Sequence, residues 1–134
     1  MIYESTKDGE IVRALQPGDV ARAMHPNSTA VACVANSTAV AWAANSIAEA
    51  WAAGSKAEAL EEGSVAVAWA ANSTAEAWVK GSRAVTCVAG STAEALEEGS
   101  VAVAWAANST AKAWAEGSTA EARVAGAIAI PYAA

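Results

Sequence analysis

Small and variable side chains alternate along this chain, and the alternation restarts every nine residues. Each nonapeptide opens on Gly or Asn, in an unbroken series: Gly9, Gly18, Asn27, Asn36, Asn45, Gly54, Gly63, Asn72, Gly81, Gly90, Gly99, Asn108, Gly117 and Gly126. Counting from that residue, position 2 is Ser except at Glu10, Asp19 and Ala127. Position 4 is Ala except at Val12, and position 6 is Ala except at Thr86 and Pro131. Positions 3 and 5 range over Thr, Val, Ile, Glu, Lys and Arg. Constant small residues at 2, 4 and 6 between variable ones form a period-2 pattern, which predicts a short β-strand. Gly and Asn are the residues that most easily take a positive φ, so a turn is predicted at the head of every repeat.

A helix fails on geometry despite the abundant alanine. Nine residues at about 100° each turn a helix through roughly two and a half revolutions, so the Ser and Ala positions would not form one stripe. The charges at positions 3 and 5 fix which side is inside, because unpaired buried charges are prohibitively costly. Positions 2, 4 and 6 therefore face inward and build a thin core of Ser and Ala. One strand and one turn enclose nothing, but two repeats close an eighteen-residue coil. The fold expected is an all-β, flattened parallel β-solenoid (β-roll) of about seven coils, on the order of 34 Å long at the usual strand spacing. Residues 1–8 are expected to cap the first coil, and residues 9–134 to form a single domain.

Position 7 is large in most repeats: Leu15, Met24, Cys33, Trp42, Trp51, Leu60, Trp69, Trp78, Cys87, Leu96, Trp105 and Trp114, then Arg123 and Tyr132. All six tryptophans, Trp42, Trp51, Trp69, Trp78, Trp105 and Trp114, fall here as an aromatic edge. Two uses are open: folding over the long edges in stacked ladders that shield the core, or an exposed array for a carbohydrate or other partner.

Alternate repeats form opposite faces, and charge separates them. The set starting at Gly9 places Thr29, Val31, Ile47, Val65, Val67, Val85, Val101 and Val103 outward, and its few charges cancel. The set starting at Gly18 holds nine acids against four bases, so it carries −5 of the net −6. Glu58, Glu61, Glu62, Glu76, Glu94, Glu97 and Glu98 dominate it. An outward carpet of β-branched residues of roughly 600 Å² is more than a monomer ordinarily leaves in water. The apolar face is therefore expected to make a homodimer, with twofold symmetry the default, and the acidic face to meet a partner protein.

Other features narrow the field. An acidic balance argues against direct nucleic-acid binding, which uses basic patches. No stretch approaches the ~20 apolar residues of a membrane span, and no signal peptide is evident, so a cytoplasmic protein is expected. Cys33 and Cys87 fall on one edge three coils apart, about 14 Å, which is beyond disulfide reach. His25 stands alone, the Ser column lacks a base, and no pattern calls for a metal or cofactor, so no enzyme is expected. Residues 54–89 and 90–125 match at 28 of 36 positions, which points to duplication in blocks of four repeats.

The repeat resembles two β-roll families. Calcium-binding toxin rolls also pair nonapeptides into eighteen-residue coils; their Gly-Gly-x-Gly-x-Asp pattern lacks its Asp here, so the resemblance implies the coil geometry without calcium. The segments Asn36 to Ala41, Asn72 to Ala77 and Asn108 to Ala113 look like the head repeats of trimeric autotransporter adhesins, a resemblance that implies surface binding. Three functions are thus expected in order: a non-enzymatic interaction module; a phage-type antidefence inhibitor whose acidic surface mimics nucleic acid, acting in the host compartment; and an adhesin-like or spacer solenoid.

Overall fold

In a computed structural model of the chain, residues 2–131 are described. The fold is an all-β parallel solenoid of about seven coils of eighteen residues, with its strands in two sheets. The eight-stranded sheet runs β1 (Ile2–Glu4), β3 (Val20–Ala23), β5 (Thr38–Ala41), β7 (Lys56–Ala59), β9 (Thr74–Ala77), β11 (Thr92–Ala95), β13 (Thr110–Ala113) and β15 (Ile128–Ile130). The seven-stranded sheet runs β2 (Ile11–Ala14), β4 (Thr29–Ala32), β6 (Ile47–Ala50), β8 (Val65–Ala68), β10 (Arg83–Thr86), β12 (Val101–Ala104) and β14 (Thr119–Ala122). Every pairing is parallel and in register at eighteen residues, as in Val65 beside Ile47 and Arg83. The expected apolar set builds the seven-stranded sheet and the acidic set the eight-stranded one.

Each turn has the same construction. Asn27, Asn36, Asn45, Asn72 and Asn108 sit at φ between 60° and 64°, and the glycines heading the other repeats at 77° to 86°. The Ser that follows is buried, apart from the half-buried Ser118, and closes the turn. Ser64 Oγ donates to the Glu61 carbonyl at 2.5 Å and accepts the Glu61 N–H at 3.3 Å. A polar core column is tolerated because each hydroxyl is satisfied within its own turn. At two of the three positions where Ser is replaced, a carboxylate takes over: Asp19 accepts from the Gln16 N–H at 3.2 Å and Glu10 from the Thr6 N–H at 2.5 Å.

Between the sheets lie alanines with no exposure, from Ala14 and Ala21 to Ala104 and Ala111. At positions 4 and 6 a methyl is the group that suits nearly every inward site; apart from the serines, Thr86 is the one larger side chain found fully buried among the described residues. Hydrogen bonds between coils continue past the strands: Trp69 N–H donates to the Ala50 carbonyl on the preceding coil and Gly63 N–H to the Gly81 carbonyl on the next. Backbone donors at the turns are thereby paired along the axis as well.

The first described residues add a strand to the eight-stranded sheet. β1 pairs in parallel with β3, and Ser5 lies buried with its Oγ accepting the Met24 N–H at 2.8 Å. Tyr3 and Val12 hold inward positions given to Ala elsewhere, and Val12 packs against the core. Both lie on edge strands of their sheets, β1 and β2, and there larger inward side chains fit. At the other end Ala120 and Ala127 are only partly covered. The position-7 residue Tyr132 and the two alanines after it lie outside the described residues.

Candidate interaction surfaces

Alternation turns positions 3 and 5 outward on both sheets, and the structure puts position 7 on the same outer side. The six indoles are between 38% and 55% exposed, standing outside a core that is already closed. Trp51 donates from Nε1 to Glu49 at 3.2 Å and Trp78 to Glu76 at 3.3 Å, each to the residue two places back. Those bonds lean the rings over their own strands. Among the described residues one stacked pair occurs, Trp51 on Trp69, with centroids 5.1 Å apart and planes within 9°. Trp105 instead lies under the Arg123 guanidinium at 5.2 Å, and Trp114 near the Lys112 ammonium at 5.9 Å. Trp42, Trp78 and Trp114 alternate with Leu60 and Leu96 on the eight-stranded sheet, which keeps them apart.

On the seven-stranded sheet two outward columns run the length of the solenoid. One reads Ile11, Thr29, Ile47, Val65, Arg83, Val101, Thr119; the other Arg13, Val31, Glu49, Val67, Val85, Val103, Glu121. Ile11 and Ile47 are well exposed, whereas Val31 and Val103 are covered by longer neighbours to 8% and 3%. Thr29, Val65, Val67, Val85 and Val101 are half-buried. Near the first coils the face hollows into a depression of about 350 Å³. Ile11 and Arg13 wall it on one side, Glu49 and Trp51 on the other, with Thr29, Val31 and Cys33 between.

The expected acidic surface divides in two. Glu58, Glu76 and Glu94 form one column on the eight-stranded sheet, in register across β7, β9 and β11 and followed by Lys112. Glu76 is only 8% exposed, with Lys56 Nζ 3.6 Å from its carboxylate in addition to the Trp78 indole. Burial raises the Glu94 carboxyl above the ordinary carboxylate range against the hydrogen bond from Trp114; the neighbouring Glu76 pushes the same way as burial, and Lys112 opposes. Glu61, Glu62, Glu97 and Glu98 are not on that face. They sit exposed in turns along the edge that leads from the eight-stranded to the seven-stranded sheet. Glu62 and Glu98 lie so closely along the axis that a Cβ on Gly81 or Gly117 would fall 2.8 or 2.7 Å from their Cγ atoms.

The two edges differ, a contrast that grouping whole repeats by face conceals. On the edge leaving the seven-stranded sheet, the residues before each Gly or Asn are Gln16-Pro17, Val34-Ala35, Ala52-Ala53, Ala70-Ala71, Val88-Ala89, Ala106-Ala107 and Val124-Ala125, without a charge. The apolar face therefore continues around that edge, where the buried Asp19 is the one turn charge among the described residues, and the exposed turn charges are on the opposite edge.

Cys33 and Cys87 are free, and burial pushes the Cys87 thiol up. His25 Nδ1 lies 3.4 Å from Ser5 Oγ. Among the described residues, no three His, Cys, Asp or Glu converge on a point that would hold a metal ion, and no helix is long and apolar enough to cross a membrane. None of the known protein families, curated protein sequences or solved structures compared with the chain matches it.

Proposed function

We propose that this chain is a non-enzymatic interaction module, self-associating through the outer face of the seven-stranded sheet and offering carboxylates to a basic protein partner. The observation that supports this reading is the segregation of charge. Val65, Val67, Val85, Val101 and the indoles of Trp51, Trp69 and Trp105 share one face with an edge free of exposed turn charge; Glu49 and Glu121 on that face are accompanied by Arg13 and Arg83, while the other glutamates gather on the opposite face and edge. Two copies paired through the apolar face bury about 1,200 Å² in total, the low end of specific interfaces. Sedimentation equilibrium tests it: the wild type is expected as a dimer, and Val67→Lys as a folded monomer. A wild type that stays monomeric at high concentration would refute it.

The exposed edge favours a second reading. Glu61-Glu62 and Glu97-Glu98 stand two coils apart, about 10 Å, and among the described residues neither pair makes a salt bridge of the kind that engages Glu76 and Glu121. Such an edge suits the basic groove of a nucleic-acid-binding protein and would act as an antidefence inhibitor by occupying the place of phosphates. Competition with DNA for such a protein, lost on changing these four residues to Gln and weakened by salt, is the expected result; unchanged competition by the variant rules this reading out.

A further inference from the structure

The proposed self-association leaves open how the two copies are oriented, and the seven-stranded face carries enough asymmetry to decide it. We infer that the partner of this face is a second copy lying antiparallel, related by a twofold axis that runs along β8. This inference rests on the self-association reading above.

A face-to-face pair of identical sheets has two simple arrangements. With the twofold along the solenoid axis, every strand faces its own copy. Because Arg13, Glu49 and Glu121 belong to the middle of the three outward positions, like charges then meet: Arg13 with the partner's Arg13, Glu49 with the partner's Glu49, Glu121 with the partner's Glu121. An interface selects against that juxtaposition.

With the twofold along β8, β2 faces β14, β4 faces β12 and β6 faces β10. The charges now complement one another. Arg13 lies opposite the partner's Glu121 at the same position along the strand. Glu49 lies opposite Val85 of the partner subunit, one outward position from the partner's Arg83, which is exposed. Val65 and Val67 meet their own copies at the centre, where an interface is driest.

Side-chain size agrees independently. In the position-7 column the bulky and small residues exchange places under the same operation. Trp51, 50% exposed, faces the partner's Cys87, and Trp105, 48% exposed, faces the partner's Cys33. Cys33 belongs to the depression of about 350 Å³ flanked by Arg13 and Trp51. Trp105 of the partner subunit thus has a hollow to enter, beside the Arg13 that meets the partner's Glu121. A buried Trp in a pocket ringed by a charge pair is the usual anatomy of an interface anchor.

Charge reversal tests the orientation. Positions 13 and 121 lie on the first and last strands of the sheet, so within one chain they are too far apart to pair. Arg13→Glu and Glu121→Arg are each expected to weaken the dimer by about tenfold or more, and the double variant to return within about threefold of wild type. Rescue of that kind requires contact between copies in antiparallel order. A second measurement does not depend on those residues. In a background with Cys33→Ala and Cys87→Ala, Glu49→Cys and Val85→Cys, both at half-buried positions, are combined and linked with a short bismaleimide. The antiparallel dimer joins position 49 of one copy to position 85 of the other; the parallel one joins each position to itself. A dimer that shows no rescue and links like to like overturns the antiparallel arrangement alone, whereas a wild type that is monomeric in both measurements overturns self-association itself.

Discussion

Glu94 lies directly beside Glu76 on adjacent strands and accepts the indole N–H of Trp114, from the following coil, at 2.9 Å. Two carboxylates in register would repel if both were charged. The structure moderates this with Lys56 on Glu76 and the indole on Glu94, yet burial still raises the Glu94 carboxyl. A carboxyl raised in the folded state binds protons there more readily than in the unfolded chain. Its contribution is therefore favourable at acidic pH and is lost as pH rises from the ordinary Glu value through the folded one. Glu94→Gln keeps an acceptor for Trp114 and removes the charge. It is expected to raise stability at pH 7 by up to about 0.5 kcal/mol, given the group's partial exposure. The gain should vanish near pH 4; thermal melts of both proteins across that range check it.

The Ser column gives a larger effect. Ser64→Ala removes both bonds that close its turn and leaves the Glu61 N–H and carbonyl without that partner. The expected cost is about 1–2 kcal/mol, read from urea midpoints. Ser46, Ser55 and Ser82 should behave alike because they are built alike, and a loss below a few tenths at all four would show that water replaces the hydroxyl.

At the turns, Asn and Gly are not equivalent to other residues. Asn72→Gly keeps a residue suited to φ of 62° and should change stability by only a few tenths of a kcal/mol. Gly81→Ala imposes a Cβ at φ of 80° and within 2.8 Å of Glu62 Cγ, and should cost more than about 1 kcal/mol. Adding Glu62→Ala to Gly81→Ala separates the parts: recovery of the steric share is expected, with the backbone share remaining.

Cys87 should react slowly. Its thiol is half-buried and raised by burial, which lowers the thiolate fraction at any working pH. Alkylation by iodoacetamide at pH 8 is expected to be several-fold slower at Cys87 than at a free thiol in a short peptide, and to match it in denaturant. Equal rates before and after unfolding would show that the native site does not protect it.

Much of this architecture is written in the turn residues. A Gly or Asn every nine places sets strand length, coil size and register together, which is why Val65 falls beside Ile47 and Arg83 without adjustment. β1 escapes that reading because Tyr3 stands where the repeat has Ala; a terminal strand has a neighbour on one side only, so its inward residue need not be small. Glu76 escapes it too. Alternation marks the residue as outward, but only packing shows that Trp78 and Lys56 close over it. The glutamates at 61, 62, 97 and 98 belong by sequence to the same repeats as Glu58 and Glu94, yet a turn residue lies on an edge and not on a face. The edge without exposed turn charge is legible only where strand positions are distinguished from turn positions, as well as odd repeats from even.

The hydrogen bonds that join one coil to the next all point along the solenoid, from the strands and from the turns alike. Such a molecule has a grain. Tension applied to its two ends along the axis meets one coil's bonds at a time and should peel the chain in eighteen-residue steps at low force. Tension applied across it, parallel to the strands, loads many bonds together in shear and should be resisted far more strongly.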